Sequence, residues 1–114
     1  MTTIYKICTI AEWREAERDG IYRGSAVDRH DGFIHFSTAA QTPETAAKHF
    51  AGQSDLVLIA VDVAALGNQL KWEPSRGGAL FPHLYGEMPV AAAQSIVPIP
   101  LGANGRHVLP DNLA

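Results

Sequence analysis

The hydrophobic positions of this chain fall into strand-sized runs, interrupted by two stretches with helical spacing. Ile4–Cys8 predicts a first strand, and Leu56–Val63, which is almost unbroken apolar sequence, predicts a central strand buried on both faces. Further extended segments are predicted at Phe33–Ser37, Leu70–Glu73, Phe81–Tyr85 and Ile96–Ile99, the last confined to a sheet edge by its prolines.

Capping signals place the two helices. Thr9 and Glu12 have the spacing of a capping box, which predicts a helix over Ile10–Asp19. Thr42, followed by a proline, predicts the start of a second helix that runs to about Ala51. Because helices come early and strands dominate later, we expect an α+β protein with a mixed or antiparallel sheet.

The segments between these elements are predicted to be irregular. Residues 21–29 form a loop, Ser75–Gly78 form a mobile loop, and the tail at 101–114 is loosely held. No repeat, low-complexity tract or linker divides the sequence, so we expect residues 1–114 to form a single domain.

Composition and charge narrow the classes of function. The chain has 46% hydrophobic and 18% charged residues and a formal net charge of −3, which favours a globular protein and disfavours general nucleic-acid binding. No apolar run is long enough to span a membrane, and the single cysteine, Cys8, is expected to fill the core. These features favour a cytoplasmic monomer or small homo-oligomer with a small-molecule ligand, nucleotide-like or anionic.

Polar side chains interrupt two apolar segments at positions that share one face of a strand. Phe33, His35 and Ser37 alternate along the first segment, and His83 and Tyr85 alternate along the second. Burying such groups without partners is costly, so the pattern predicts a polar-lined pocket. The alternative for each histidine is a core residue hydrogen-bonded to backbone, and we weigh the two equally for His35.

Four further residues are candidates for the same pocket. Glu73 ends a strand just before a glycine-rich loop, where a carboxylate could bind ribose hydroxyls or act as a base, or be an ordinary edge glutamate. Gln41 lies at the crossing from strand to helix. Arg23 and Arg76 lie in glycine-containing loops and are candidate anion clamps, although such stretches are more often only turns.

Two other chemistries are disfavoured by spacing. The chain has no Gly-x-Ser-x-Gly elbow for a Ser-His hydrolase, and no His-x-x-x-His or His-Glu-x-x-His pair for a metal. A zinc site assembled across strands from His35, His83 and Glu73 stays open as a minority alternative, and we predict no metal site.

Taken together, several motifs resemble those of a family of small bacterial proteins of unknown function that is grouped with the ADP-ribosyltransferase-like fold. They are Tyr5, Trp13, the Asp-Gly-Phe-Ile-His-Phe-Ser run with Gln41, Trp72-Glu73, and Phe-Pro-His-Leu-Tyr-Gly. The resemblance covers nearly the whole chain, to about Ile99. It implies a split mixed sheet, two to three flanking helices and a nicotinamide dinucleotide cleft, with NAD as a candidate ligand but no certain cofactor.

Two functions follow from this resemblance. The first is a divergent ADP-ribosyl-type transferase or hydrolase that acts on NAD, ADP-ribose or a related nucleotide. In it, His35 and Ser37 hold the ribose or phosphate, His83 and Tyr85 line the base pocket, and Glu73 stabilises an oxocarbenium-like centre. The second is a non-catalytic domain that binds a small ligand or a protein. In working transferases the first strand has His-Gly-Thr or an arginine, where this chain has Tyr5-Lys6-Ile7.

Overall fold

The structure, a computed structural model, describes residues 2–111 and 113, with the side chain of Arg76 outside the described part. Its three α-helices within these residues are α1 (Ile10–Asp19), α2 (Ala26–Asp31) and α3 (Thr42–His49). Its strands are β1 (Thr3–Thr9), β2 (Ile21–Tyr22), β3 (Ile34–His35), β4 (Leu56–Asp62), β5 (Leu70–Pro74), β6 (Leu80–Leu84), β7 (Met88–Pro89) and β8 (Ala93–Pro98).

A three-stranded antiparallel sheet in the order β1-β4-β8 is the centre of the fold. The predicted central strand is confirmed, because β4 pairs on both sides and its apolar run is buried from Leu56 to Val61. One core cluster on this sheet contains Ile59, and a second contains Leu58, so neighbouring residues of β4 face opposite sides. The edge position predicted for the last strand is also confirmed, although β8 begins earlier, at Ala93.

The predicted first helix is confirmed. Thr9 accepts a hydrogen bond from the Glu12 amide, the Glu12 carboxylate accepts one from the Thr9 amide, and the helix ends at Gly20 in a left-handed conformation. Trp13 of α1 is buried in the first core cluster. Cys8 is buried there as well, and this burial raises the pKa of its thiol to about 12, as expected of a core residue.

Helix α3 differs from its prediction at both ends. Thr42 is its first helical residue rather than its cap, and Gln41 precedes it without a capping hydrogen bond from its side chain. The Gln41 side chain instead accepts from the Thr38 amide and donates to the Leu80 carbonyl, so it ties the turn to β6. The helix ends at His49, two residues before the predicted end near Ala51.

A second three-stranded antiparallel sheet, in the order β3-β6-β5, supports the candidate site. A bridge between Tyr5 and Ser37 joins the continuation of β3 to β1, with both backbone hydrogen bonds at 2.8 Å. Ile34 and Leu84 are paired across β3 and β6 and are buried in the first core cluster. Since residues alternate between faces, the next pair, His35 and His83, lies on the opposite face.

The loop predicted at residues 21–29 is confirmed only at residues 23–25. Ile21–Tyr22 pairs with Met88–Pro89, and α2 follows at once. The helix forms because Ser25 and Asp28 make a reciprocal capping box, in which each side chain accepts a hydrogen bond from the other residue's amide. Gly32 ends it in a left-handed conformation.

Described residues of the tail contact the rest of the protein. Leu101 pairs with His107 in a bridge, and the His107 ring lies 2.7 Å from the carbonyl of Gln53. Leu109 and Leu113 pack on the second core cluster and cover part of its surface. No helix among the described residues is long and apolar enough to cross a membrane.

Candidate functional site

The outward face of the β3-β6-β5 sheet carries a cluster of aromatic and imidazole rings. Phe33 lies at its centre, with ring centroids 4.2 Å from His83, 4.6 Å from His35 and 5.1 Å from Tyr85. The two histidine rings are 5.4 Å apart. We call Phe33, His35, Glu73, His83 and Tyr85 the histidine face. Strand alternation predicted correctly that Phe33 and His35 share a face, as do His83 and Tyr85, and cross-strand pairing brings these side chains into contact.

Glu73 of β5 anchors one end of the histidine face. Its Oε1 lies 2.8 Å from Nδ1 of His83 and accepts a hydrogen bond of 2.7 Å from the Tyr85 hydroxyl. A carboxylate only accepts, so the proton of His83 lies on Nδ1. His83 is 7% exposed at its side chain and Glu73 is 38% exposed, so the carboxylate is held at the border between the sheet and solvent.

These contacts shift the pKa values of the Glu73 carboxyl and the Tyr85 hydroxyl. The hydrogen bond from Tyr85, followed by that from His83, holds the pKa of the Glu73 carboxyl below its usual range. The same bond to Glu73 raises the pKa of the Tyr85 hydroxyl. Glu73 is therefore ionised over the ordinary range of pH and Tyr85 keeps its proton.

The other end of the face is fixed by carboxylates on both nitrogens of His35. Nδ1 lies 2.6 Å from Oδ1 of Asp28, and Nε2 lies 3.0 Å from Oδ2 of Asp31. Both contacts are ion pairs when the ring is protonated. Asp28 is buried, whereas the side chains of His35 and Asp31 are 35% and 38% exposed.

A buried lysine completes this group. Nζ of Lys6, in the middle of β1, lies 2.7 Å from Oδ2 of Asp28, with side-chain exposures of 6% and 2%. Asp28 also accepts hydrogen bonds from the amides of Ser25 and His35. We call Lys6, Asp28, Asp31 and His35 the Asp28 cluster. The buried carboxylate of Asp28 in α2 contacts Lys6 of β1 and His35 of β3, and so links these three elements.

The Asp28 cluster predicts how stability depends on pH. Burial alone would raise the pKa of the Asp28 carboxyl, but the hydrogen bond from His35 and the charge of Lys6 hold it well below its usual range. A carboxyl with a lowered folded pKa stabilises the fold above its unfolded pKa, near 4, and loses that effect as pH falls through the folded value. The free energy of unfolding should therefore fall from about pH 5 to about pH 2.

Urea unfolding across that pH range measures the effect. Asp28→Asn should flatten the slope, because the variant has no carboxyl to protonate at this site. Asp31 and Glu73 also have lowered pKa values, from the His30 and Tyr85 hydrogen bonds first, so part of the slope should persist. An unchanged slope in Asp28→Asn would contradict the assignment.

Three predicted site residues, Ser37, Gln41 and Arg23, lie elsewhere. Ser37 is buried, and its hydroxyl lies 3.0 Å from that of Thr45 on α3. The side chain of Gln41 forms hydrogen bonds with Thr38 and Leu80 in the turn before α3. Arg23 forms ion pairs of 3.1 Å with Asp19 and 3.2 Å with Glu87, so carboxylates already balance its charge. The side chain of Arg76 lies outside the described residues.

Sequence reasoning missed Lys6, Asp28 and Asp31. The spacing of Ser25 and Asp28 is that of a capping box, which would have placed a helix at residues 26–31. Lys6 shares a strand face with Ile4 and Cys8, and a charge within such a buried row requires a partner. The sequence does not say which carboxylate supplies it.

The histidine face is partly exposed to solvent, since the side chains of His35 and Glu73 are 35% and 38% exposed and Tyr85 is 41% exposed. Two surface depressions of about 150 and 240 Å³ lie beside α1, and neither is lined by a residue of the histidine face. Among the described residues, no group of three or more His, Cys, Asp or Glu side chains is arranged to hold a metal ion. The face therefore offers charged and aromatic groups on a surface.

Comparison with known proteins gives a family and a fold. The family model described as "Protein of unknown function (DUF952)" matches residues 7–96. The crystal structure of protein CC0527 from Caulobacter crescentus is 52% identical over 98% of each chain, with a TM-score of 0.94. The solution NMR structure of that protein is 53% identical, covers 100% of this chain and 98% of the other, and has a TM-score of 0.87. No curated protein matches the chain.

Proposed function

This chain belongs to the DUF952 family of proteins of unknown function, and we propose that its histidine face is a nucleotide site of a divergent ADP-ribosyl-type transferase or hydrolase. The substrate is NAD, ADP-ribose or a related nucleotide, and NAD enters as ligand. The observation that carries the proposal is the Glu73 carboxylate, held by Tyr85 and His83 beside the Phe33 ring.

The role of Glu73 follows from its acidity. A carboxyl with a lowered pKa is a weak base but a constant negative charge. Such a charge stabilises a positive centre that develops in the transition state, as in cleavage of a glycosidic bond through an oxocarbenium-like sugar. Glu73 therefore acts as an electrostatic stabiliser rather than as a general base.

The other members of the face supply binding. When it is protonated, the His35 ring suits a phosphate, and the partly buried ring of Phe33 and the exposed ring of Tyr85 suit stacking with a base or a nicotinamide. The Tyr5–Ser37 bridge, which joins the two main sheets, is compatible with the split sheet of ADP-ribosyltransferase-like proteins. A shared fold alone does not confer the activity, so the proposal depends on the site.

The partial exposure of the face to solvent favours a second candidate, a non-catalytic domain that binds a small ligand or a protein. Reactions through charged intermediates are usually enclosed, because water weakens electrostatic stabilisation. Neither depression beside α1 encloses Glu73. In this alternative the same rings and charges bind a ligand without cleaving it.

Glu73→Gln separates the two candidates. In an enzyme, the variant should lose about a hundredfold or more of turnover of NAD or ADP-ribose, while the dissociation constant changes little. Turnover is measured as release of nicotinamide or ribose products, and binding by calorimetry. In a binding domain, neither protein turns over and only affinity changes.

Glu87→Gln is the matched control, because it removes the same charge from an exposed glutamate that pairs with Arg23 outside the face. It should behave as wild type. If Glu73→Gln also leaves both turnover and affinity unchanged, the role assigned to Glu73 is wrong.

A further inference from the structure

The outer nitrogen of His35 is covered by an exposed carboxylate that is weakly held. Nδ1 of the ring is fixed by buried Asp28, whereas Nε2 is paired with Asp31, whose side chain is 38% exposed. Ion pairs between exposed groups contribute about 0–1 kcal/mol, so little free energy opposes removal of Asp31. The ring itself would stay in place, because Asp28 holds its other side.

The location of Asp31 within α2 works against a purely structural role. It is the last residue of the helix, where the helix dipole disfavours a negative charge. A second partner is adjacent, since Nδ1 of exposed His30 lies 3.1 Å from Asp31 Oδ1.

Charge balance defines what would replace Asp31. With His35 protonated, two positive groups, Lys6 and His35, face two negative groups, Asp28 and Asp31, across contacts of 2.6–3.0 Å. When Asp31 moves away, the remaining three groups carry a net positive charge, with an N–H of His35 directed outward. Phosphate oxygens accept charge-assisted hydrogen bonds from such a donor.

We propose that Asp31 occupies a phosphate-binding position on His35, and that the phosphate or diphosphate group of a ligand displaces it. The inference rests on the proposed function, because it takes the ligand to be a nucleotide. It adds that the phosphate group of this ligand binds at His35. The Phe33 ring, 4.6 Å from His35, lies beside this position and can stack with the rest of such a ligand.

The test compares inorganic pyrophosphate binding by wild type and Asp31→Asn in buffer of low ionic strength. Removing one negative charge about 4 Å from the bound anion should tighten binding about fivefold or more. Binding is followed by NMR of ¹⁵N-labelled histidine, in which the His35 ring signals should shift and saturate. Asp31 is exposed, and Asp31→Ser provides a second variant with the same charge change.

Glu15→Gln is the control, because it makes the same change of net charge at an exposed position on α1 and should leave the affinity unchanged. Equal affinity in Asp31→Asn and wild type, or no saturable binding by the variant, overturns the inference. If the variant binds pyrophosphate more tightly but ADP-ribose and NAD bind no better than pyrophosphate, the phosphate position stands and the proposed nucleotide function fails. If wild type binds ADP-ribose and Asp31→Asn binds it no more tightly, the proposed nucleotide function stands and the phosphate position on His35 fails.

Discussion

Asp28→Asn should lower the free energy of unfolding by about 3–5 kcal/mol at neutral pH, because it leaves the buried Lys6 ammonium without its counter-charge. The asparagine amide can replace some of the four contacts that Asp28 accepts from Ser25, Lys6 and His35, but it cannot neutralise either cation. Chemical denaturation followed by circular dichroism measures the change, with the slope against denaturant as a check for two-state unfolding.

A double-mutant cycle identifies the cause. Lys6→Met should cost less than Asp28→Asn, since Asp28 keeps His35 and the Ser25 amide as partners. The double variant should be more stable than the sum of the two single changes predicts, because no unpaired lysine charge remains. A loss below about 1 kcal/mol in Asp28→Asn would show that the lysine reaches water or another partner.

The parts of this molecule that the sequence predicted are those that follow from local rules. Alternation along each strand is enough to place His35 on one face with Phe33 and His83 on one face with Tyr85, and burial of the opposite residues, Ile34 and Leu84, confirms it. The capping box at Thr9 likewise gives α1 its start. In each case neighbouring residues in the chain carry the whole signal.

The Asp28 cluster was not predictable in the same way, because its contacts join distant parts of the chain. Lys6 and Asp28 are 22 positions apart and meet only when α2 packs against the face of β1 that carries Ile4 and Cys8. Alternation shows that Lys6 belongs to a buried row but not which carboxylate pairs with it. The exposure of the histidine face to solvent was not predictable either, because it depends on how loops and helices pack around the sheet. The strand pattern does not describe that packing.

Gly24→Ala should be strongly destabilising, by about 2–4 kcal/mol, because alanine is disfavoured there for two separate reasons. The residue has a φ of 97°, which L side chains rarely adopt. A Cβ would also lie 2.7 Å from the Cβ of Asp28 and 3.3 Å from Cγ1 of Ile34, both in packed positions. The free energy of unfolding, measured by denaturation, should therefore fall well beyond the usual effect of alanine at a turn.

Gly20→Ala separates the two reasons, since Gly20 has a φ of 79° but no atom within 4 Å of the added Cβ. Its loss should be about 1 kcal/mol, from backbone conformation alone. Because the added methyl of Gly24→Ala displaces Asp28, which fixes His35, that variant should also weaken ligand binding at the histidine face, while Gly20→Ala should not. Equal losses of stability in the two variants, with unchanged binding, would mean that backbone conformation alone requires glycine and that Asp28 tolerates the displacement.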